Sequence, residues 1–230
     1  MERPNFQLAV DAALVLKFGT AAQAIVKGLN KLGLPSLTRE VITASEFRRD
    51  FDIEFTTTGK FGRITYSGNM LTGDTQGQDV LKQYLKDNAK FNDARVYIDY
   101  DNFLAPDLAN DPASVWQVSS HSPGETDKNG IFSLSGEMTC GGLFAMFVKH
   151  LTADTLAFVA ADNTITDTGN GFVEAGFAAG QTLIVEDSAG NAGQHLVTAV
   201  EAGTLTLDSS VKAIVDEAAG VEITLHGGTL

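Results

Sequence analysis

The chain has 230 residues, a formal net charge of −13, 43% hydrophobic residues and one cysteine. That length suits one large domain or two small ones, with apolar side chains enough for real cores. One cysteine excludes an internal disulfide framework, and the acidic balance disfavours ordinary nucleic-acid binding, since carboxylates repel phosphate backbones.

The amino-terminal pattern reads as β. Leu8, Val10, Ala12, Leu14, Leu16 and Phe18 fall on alternate positions, the period of a strand with one buried face. Asp11 interrupts this apolar run and no basic segment precedes it, so a secretory leader is not expected. Residues 21–32 fit a short helix, with Ile25, Val26, Leu29 and Leu32 on one face. They fit a long loop equally well, because Gly19, Gly28 and Gly33 weaken a helix and Pro35 stops it. Val41 to Ser45 reads as a strand. From Glu46 to Gly59 the pattern is irregular, with Arg48, Arg49 and Asp50 beside Phe47, Phe51 and Phe55.

Phe61 to Ser67 reads as a strand that enters a Gly/Asn/Asp turn. A helix follows: Thr75 and Gln78 have capping-box spacing, and Val80, Leu81, Tyr84 and Leu85 form one apolar face. Val96, Ile98 and Tyr100 then alternate with Arg95, Tyr97 and Asp99. Val115 to Ser120 is a further strand, and Phe132, Leu134, Met138 and Cys140 alternate with Ser133, Ser135, Glu137 and Thr139. That row makes Cys140 a buried, reduced thiol.

Composition shifts around Lys149 to Ala153, which places a boundary between residues 1–150 and 151–230. The net charge is near −3 before Leu151 and −10 from there on, where Lys212 is the only Lys or Arg. Short strands at Thr155–Val159, Thr182–Glu186, His195–Val200, Thr204–Asp208 and Val221–His226, separated by turn residues, have the style of a small antiparallel sandwich or barrel. The expected fold is therefore mainly β: a β-sandwich or split barrel flanked by one short α-helix, then a small all-β barrel or sandwich domain.

No group of residues directs attention to chemistry. Thr58-Gly59-Lys60 lacks the earlier glycine of a phosphate loop, since Glu54 stands there, and Phe61 replaces the metal-binding hydroxyl. Asp93, Asp99 and Asp101 lack the glycine and terminal glutamate of an EF-hand loop. His121, His150, His195 and His226 have no metal-ligand spacing. Trp116 and Tyr100 lie within strand periodicity, where core or interface is the plain reading. No enzyme activity, cofactor, metal site or membrane insertion is expected.

The order of motifs in the first part, TTTGKFGRITYSGNMLTGDTQGQDVLKQYLKDN, then RVYIDYDN, then VWQVSSHSPGETDKNGIFSLSGEMTCGG, resembles the major tail tube proteins of long-tailed, non-contractile bacteriophages. The Gly73-Asp74 turn into Gln76-Gly77-Gln78 and the closing Gly141-Gly142 carry the likeness, which covers residues 1–150. The segment TITDTGNGFVEAGFAAGQTLIVEDSAGN is similar to small β domains appended to phage virion proteins. The resemblance implies a structural virion protein, assembled in the host cytoplasm and located in the tail. Its copies would join as hexameric rings stacked into a tube, with 151–230 outside. It implies tape-measure and tail-end proteins as partners, and genome DNA passing through without specific binding. Phe47, Arg48, Arg49, Phe51, Phe55 and Phe61 are the candidate inter-subunit contacts, with a core of their own chain as the alternative for the phenylalanines. Other readings are a different tail component of related fold, such as a terminator or baseplate hub, and a host-surface carbohydrate-binding module. The latter has few aromatic side chains to stack a sugar: Phe158, Phe172 and Phe177.

Overall fold

Four short strands open the chain in the computed structural model, which describes residues 12–44, 53–126 and 130–229. They are β1 (Ala13–Leu16), β2 (Ala24–Ile25), β3 (Leu29–Gly33) and β4 (Leu37–Ala44). Segment 21–32 is thus neither helix nor plain loop. Gly28, at φ +79°, separates β2 from β3, and Val26 enters the core while Ile25 faces out. The apparent helical face was chance spacing. β5 (Ile53–Phe61) occupies much of the stretch expected to be irregular. Its Thr56-Thr57-Thr58 run favours extended backbone through β-branching.

β6 (Arg63–Asn69) leads to α1 (Gln78–Lys86), followed by β7 (Lys90–Phe91), β8 (Arg95–Tyr97), β9 (Phe103–Pro106), β10 (Val115–Pro123) and β11 (Ser133–Gly141). The alternation read through Tyr100 stops at Tyr97: residues 98–102 turn, with Asp99 accepting from the Asn102 backbone N–H at 2.8 Å, and Tyr100 is 84% exposed. β11 turns into β12 (Phe144–Ala153) at Gly142, whose φ is +92°. A Cβ there would lie 2.6 Å from both Asp111 Oδ2 and Ser114 Oγ, so the second glycine of the Gly141-Gly142 pair is required on both counts.

The remaining strands are β13 (Leu156–Val159), β14 (Thr164–Asp167), β15 (Thr182–Glu186), β16 (Gly193–Glu201), β17 (Thr204–Leu207) and β18 (Ile223–Thr229). Among the described residues one sheet has the order β13-β14-β17-β16-β15-β18-β12-β9-β8-β1-β2, a second β3-β6-β11-β10-β7, and β4 and β5 form a third of two strands. The protein is mainly β with one short α-helix among the described residues.

Three apolar clusters hold these layers. In the first, Leu14, Leu16, Val96, Leu104 and Phe144 of one sheet face Ile64, Tyr66, Trp116, Val118 and Met138 of the other, and α1 inserts Leu81. Trp116 is fully buried and donates its indole N–H to the Ala94 carbonyl at 2.9 Å, which satisfies its one polar atom. The second lies among β13–β18 and includes Leu156, Phe158, Phe172, Phe177, Leu183 and Leu225. The three carboxy-terminal phenylalanines are therefore core residues, not a stacking surface.

β12 belongs to both parts. Phe144 to Phe147 pair with β9 on one side and Met146 to Ala153 with β18 on the other, so one strand runs through the position where composition shifts. Phe144 and Met146 face the first core. Ala145 and Phe147 face the other way, onto Phe103, Ala105 and Ile184 in a third cluster. β12 also leads directly into β13, so one segment begins and ends the β13-to-β12 order and the sheet curls around the second core.

Candidate functional site

The most unusual element is a two-stranded ribbon that overhangs its sheet. β3 and β6 pair as far as Gly33 with Thr65, and β4 and β5 resume with Leu37 opposite Phe61, in unchanged register. Between them the Gly62 N–H donates to the Ser36 carbonyl at 2.7 Å. Pro35 sits in the gap, where its missing N–H interrupts the ladder. β11 accompanies β6 only to the Thr139–Arg63 pair, so beyond that point β4 and β5 pair, among the described residues, with each other alone. Eight residues of strand carry the ribbon about 26 Å past the sheet. A lone two-stranded ribbon is marginal in water, so this one is an element in want of a partner.

The same sheet has two unlike open edges. β3 forms one. At the other, β7 covers only Trp116 and Gln117, and among the described residues no strand pairs with β10 on that side from Val118 to Pro123. Such rows of unpaired backbone groups invite pairing with another chain. The outward face of the sheet carries small polar side chains, Thr65 and Ser67 on β6 and Ser133, Ser135 and Thr139 on β11, with exposed Lys31 of β3 opposite Ser67 and Lys90 of β7 opposite Gln117. Its charged pair, Arg63 and Glu137, is closed at 2.6 Å.

At the end opposite the ribbon, the Gly73-to-Gln78 motif fixes the loops. The Asp74 carboxylate accepts the backbone N–H groups of Lys27 and Gln78, both at 3.0 Å. Asp74, not Thr75, therefore serves the helix start: the helix begins after Gly77, with no side-chain bond from the N-cap residue itself. Gln78 is 3% exposed. Its Oε1 accepts from Leu71 N–H at 2.9 Å, and its Nε2 donates to the carbonyls of Lys27 at 2.7 Å and Asn69 at 2.9 Å. At Gly77 a Cβ would meet Asp74 Oδ2 at 2.3 Å and Val26 Cα at 2.8 Å, which leaves room only for glycine. Gln78→Ala strands one buried donor and two acceptors, so it is expected to cost about 1–3 kcal/mol in urea unfolding. A loss below about 0.5 kcal/mol would mean the three segments hold without it.

A buried ion pair joins β8 to β15. Arg95 of β8 pairs with Glu186 of β15, and its guanidinium lies 3.4 Å from the Phe18 ring centroid and 4.2 Å from that of Phe103. His226 Nε2 is 3.6 Å from the same Glu186 oxygen. Burial alone would raise the Glu186 carboxyl. Its contact with His226 and the charge of Arg95 outweigh burial and hold it below the usual glutamate range. Nearby, Gln194 accepts from Leu108 N–H at 2.8 Å and donates to the Pro106 carbonyl at 2.9 Å. A cleft of about 660 Å³ opens beside the pair, lined among others by Phe18, Asp93, Glu186 and Gly193.

Of the expected contact residues, Phe47, Arg48, Arg49 and Phe51 lie outside the described residues. Phe55 is in β5, opposite Ile42. Phe61 packs on the first core, its ring edge-on to Phe144 at 5.6 Å between centroids. Among the described residues no group of histidine, cysteine and acidic side chains could hold a metal ion, and no helix is long and apolar enough to cross a membrane. Burial pushes the Cys140 thiol up to about 12, so at pH 8 it should react with maleimide far more slowly than glutathione. A rate near that of the free thiol would show that β11 opens.

No protein-family model matches the chain, and no curated protein matches it. Solved structures overlap it in part. The tail of an empty gene transfer agent particle, with C6 symmetry, is 16% identical and covers 62% of this chain and 100% of its own, at a TM-score of 0.47. The anti-feeding prophage baseplate is 13% identical, covering 64% and 97%, at 0.41. The SPP1 Dit protein, from a hub adsorption apparatus of phages that infect Gram-positive hosts, is 10% identical, covering 87% and 91%, at 0.31. Overlap of this extent assigns no family.

Proposed function

We propose that this chain is a structural subunit of a phage-type tail, whose copies join side by side into rings and end to end into a tube. The observation that carries this reading is the β4–β5 ribbon, which prolongs the β3–β6 ladder beyond its sheet and, among the described residues, pairs with no other strand. The motif order that resembles major tail tube proteins supports it from the sequence. Two unlike sheet edges give a head-to-tail contact. Repeated by rotation, such a contact closes a ring and removes the exposed edges. The ribbon then bridges to the next ring.

In such a ring the outward face of the β3-β6-β11-β10-β7 sheet lines the channel. Its hydroxyl-rich surface, with Arg63 closed onto Glu137 and with Lys31 and Lys90 at opposite edges of the sheet, offers DNA no continuous cationic track, as a conduit for genome passage requires. Residues 1–150 build the ring, and the acidic 151–230 unit stands outside, where its charge keeps a crowded assembly soluble. Tape-measure and tail-end proteins are the remaining partners in this reading. Negative-stain electron microscopy and sedimentation of the purified full chain over rising concentration test it. Rings and tubes are expected. A strictly monomeric protein at every concentration, with saturable glycan binding, would replace it with the adhesion reading.

A further inference from the structure

We infer that a hydrogen-bonded tie from Tyr66 to His121 sets the shape of the open β10 edge, and that the side-by-side contact forms there only while His121 is neutral. This rests on the ring assembly proposed above and names the residue that regulates it. On its outer side β10 has no strand partner from Val118 to Pro123 among the described residues, since β7 reaches only Trp116 and Gln117. On its inner side Val118 lies opposite Met138 and Ser120 opposite Glu137, so Ser119 is the extra residue of a bulge. A bulge re-aims the strand that carries it, and the form of this edge depends on what holds the bulge.

Tyr66 holds it from two strands away. Its side chain is buried, and its hydroxyl crosses β11 at Gly136, the residue opposite both Tyr66 and His121. A Cβ on Gly136 would lie 2.3 Å from the Tyr66 hydroxyl oxygen and 2.6 Å from the Ser120 carbonyl oxygen, so glycine opens the passage. The hydroxyl donates to the Ser120 carbonyl at 3.2 Å. With its one proton used there, its oxygen accepts from His121 Nδ1, 3.0 Å away. The neutral imidazole thus carries its proton on Nδ1, and acid adds a second at Nε2.

That second proton is costly in this place. His121 is partly buried. Among the described residues the titratable side chains that face it are Tyr66 on β6 and Asp79 and Lys82 on α1, while β11 presents only Gly136. Burial and the Lys82 charge hold the imidazole below the ordinary histidine value, and Asp79 offsets them only in part. A histidine lowered on folding favours the folded arrangement at high pH. That advantage is lost as pH falls from 6.5 toward the lower folded value. Charging His121 therefore favours withdrawal of the imidazole toward water and release of the tie.

Sedimentation of the full chain at about pH 7.5 and about pH 5.5 tests this; both lie above 4.5, where the contribution of Glu186 is intact. The wild type should need about tenfold more protein to form rings at the lower pH. General loss of negative charge in acid would ease association of a chain of net charge −13, so the sign discriminates. His121→Asn offers Tyr66 an amide N–H in place of Nδ1–H and cannot be charged. It should form rings at the wild-type concentration at the higher pH and change less than about threefold at the lower. Lys82→Glu, at an exposed position of α1, should likewise reduce the acid loss while leaving the tie in place. Acid loss equal to that of the wild type in either variant, or none in the wild type, would overturn the inference and leave the proposed function standing. A wild type that forms rings at neither pH would overturn both.

Discussion

Replacing residues 39–59 by Asn-Gly yields a folded protein that no longer forms tubes. Thr38 and Lys60 are cross-strand partners, so a two-residue Asn-Gly turn closes the ladder there without changing its register. Everything removed lies beyond Leu37 and Phe61, and the Phe61 contact with Phe144 is kept. Thermal unfolding should therefore stay close to that of the full chain, while sedimentation shows no species longer than a ring. If the shortened chain fails to fold, the ribbon belongs to the core of its own chain and is no bridge between copies.

Glu186→Gln is expected to lower stability by about 3–5 kcal/mol, because it leaves the Arg95 guanidinium buried without its counter-charge. Arg95 is 6% exposed and packed between Phe18 and Phe103, so the cleft beside the pair hydrates it only in part. The double change Arg95→Met, Glu186→Leu removes both charges and should cost much less than the sum of the single changes. The sign of the pH dependence is fixed. A carboxyl held below its ordinary value of 4.5 in the folded protein adds stability above that pH. The contribution is lost as pH falls through the lower folded value. The wild type should thus lose part of its stability below about pH 4.5, and Glu186→Gln should show less of that loss. Equal acid sensitivity in both proteins would mean the pair does not hold the two parts together.

Periodicity made some of this legible and hid the rest for physical reasons. Strands such as Thr182–Glu186 stand out because β-branched and leucine residues run between clear turns, and α1 stands out through Val80, Leu81, Tyr84 and Leu85. β12 does not stand out, since it alternates toward two different cores and then crosses the shift in composition. Arg95 and Tyr97 read only as the row that alternates with Val96. The row is in fact covered by β15, ninety residues away in sequence, and local pattern carries no signal of a distant cover. Asp74 does not stand out as the group serving the helix start, because Thr75 and Gln78 have the familiar spacing. Its second bond, from the Lys27 N–H, joins a segment that only the tertiary fold brings near. The ribbon was half visible: Val41 to Ser45 read as a strand, but the charged residues around Phe51 masked its partner. That the β3–β6 register continues into it could be seen only in the ladder itself.

Hydrogen exchange of the β4 and β5 backbone amides, followed from dilute to concentrated protein, tests most directly whether the ribbon joins one copy to another. A ribbon paired only with itself opens easily in the separate subunit. The amides of Leu37–Ala44 and Ile53–Phe61 should therefore exchange quickly when dilute and become protected together as tubes appear. Strong protection that is the same at every concentration would show that the ribbon is held within its own chain, and would contradict assembly through it.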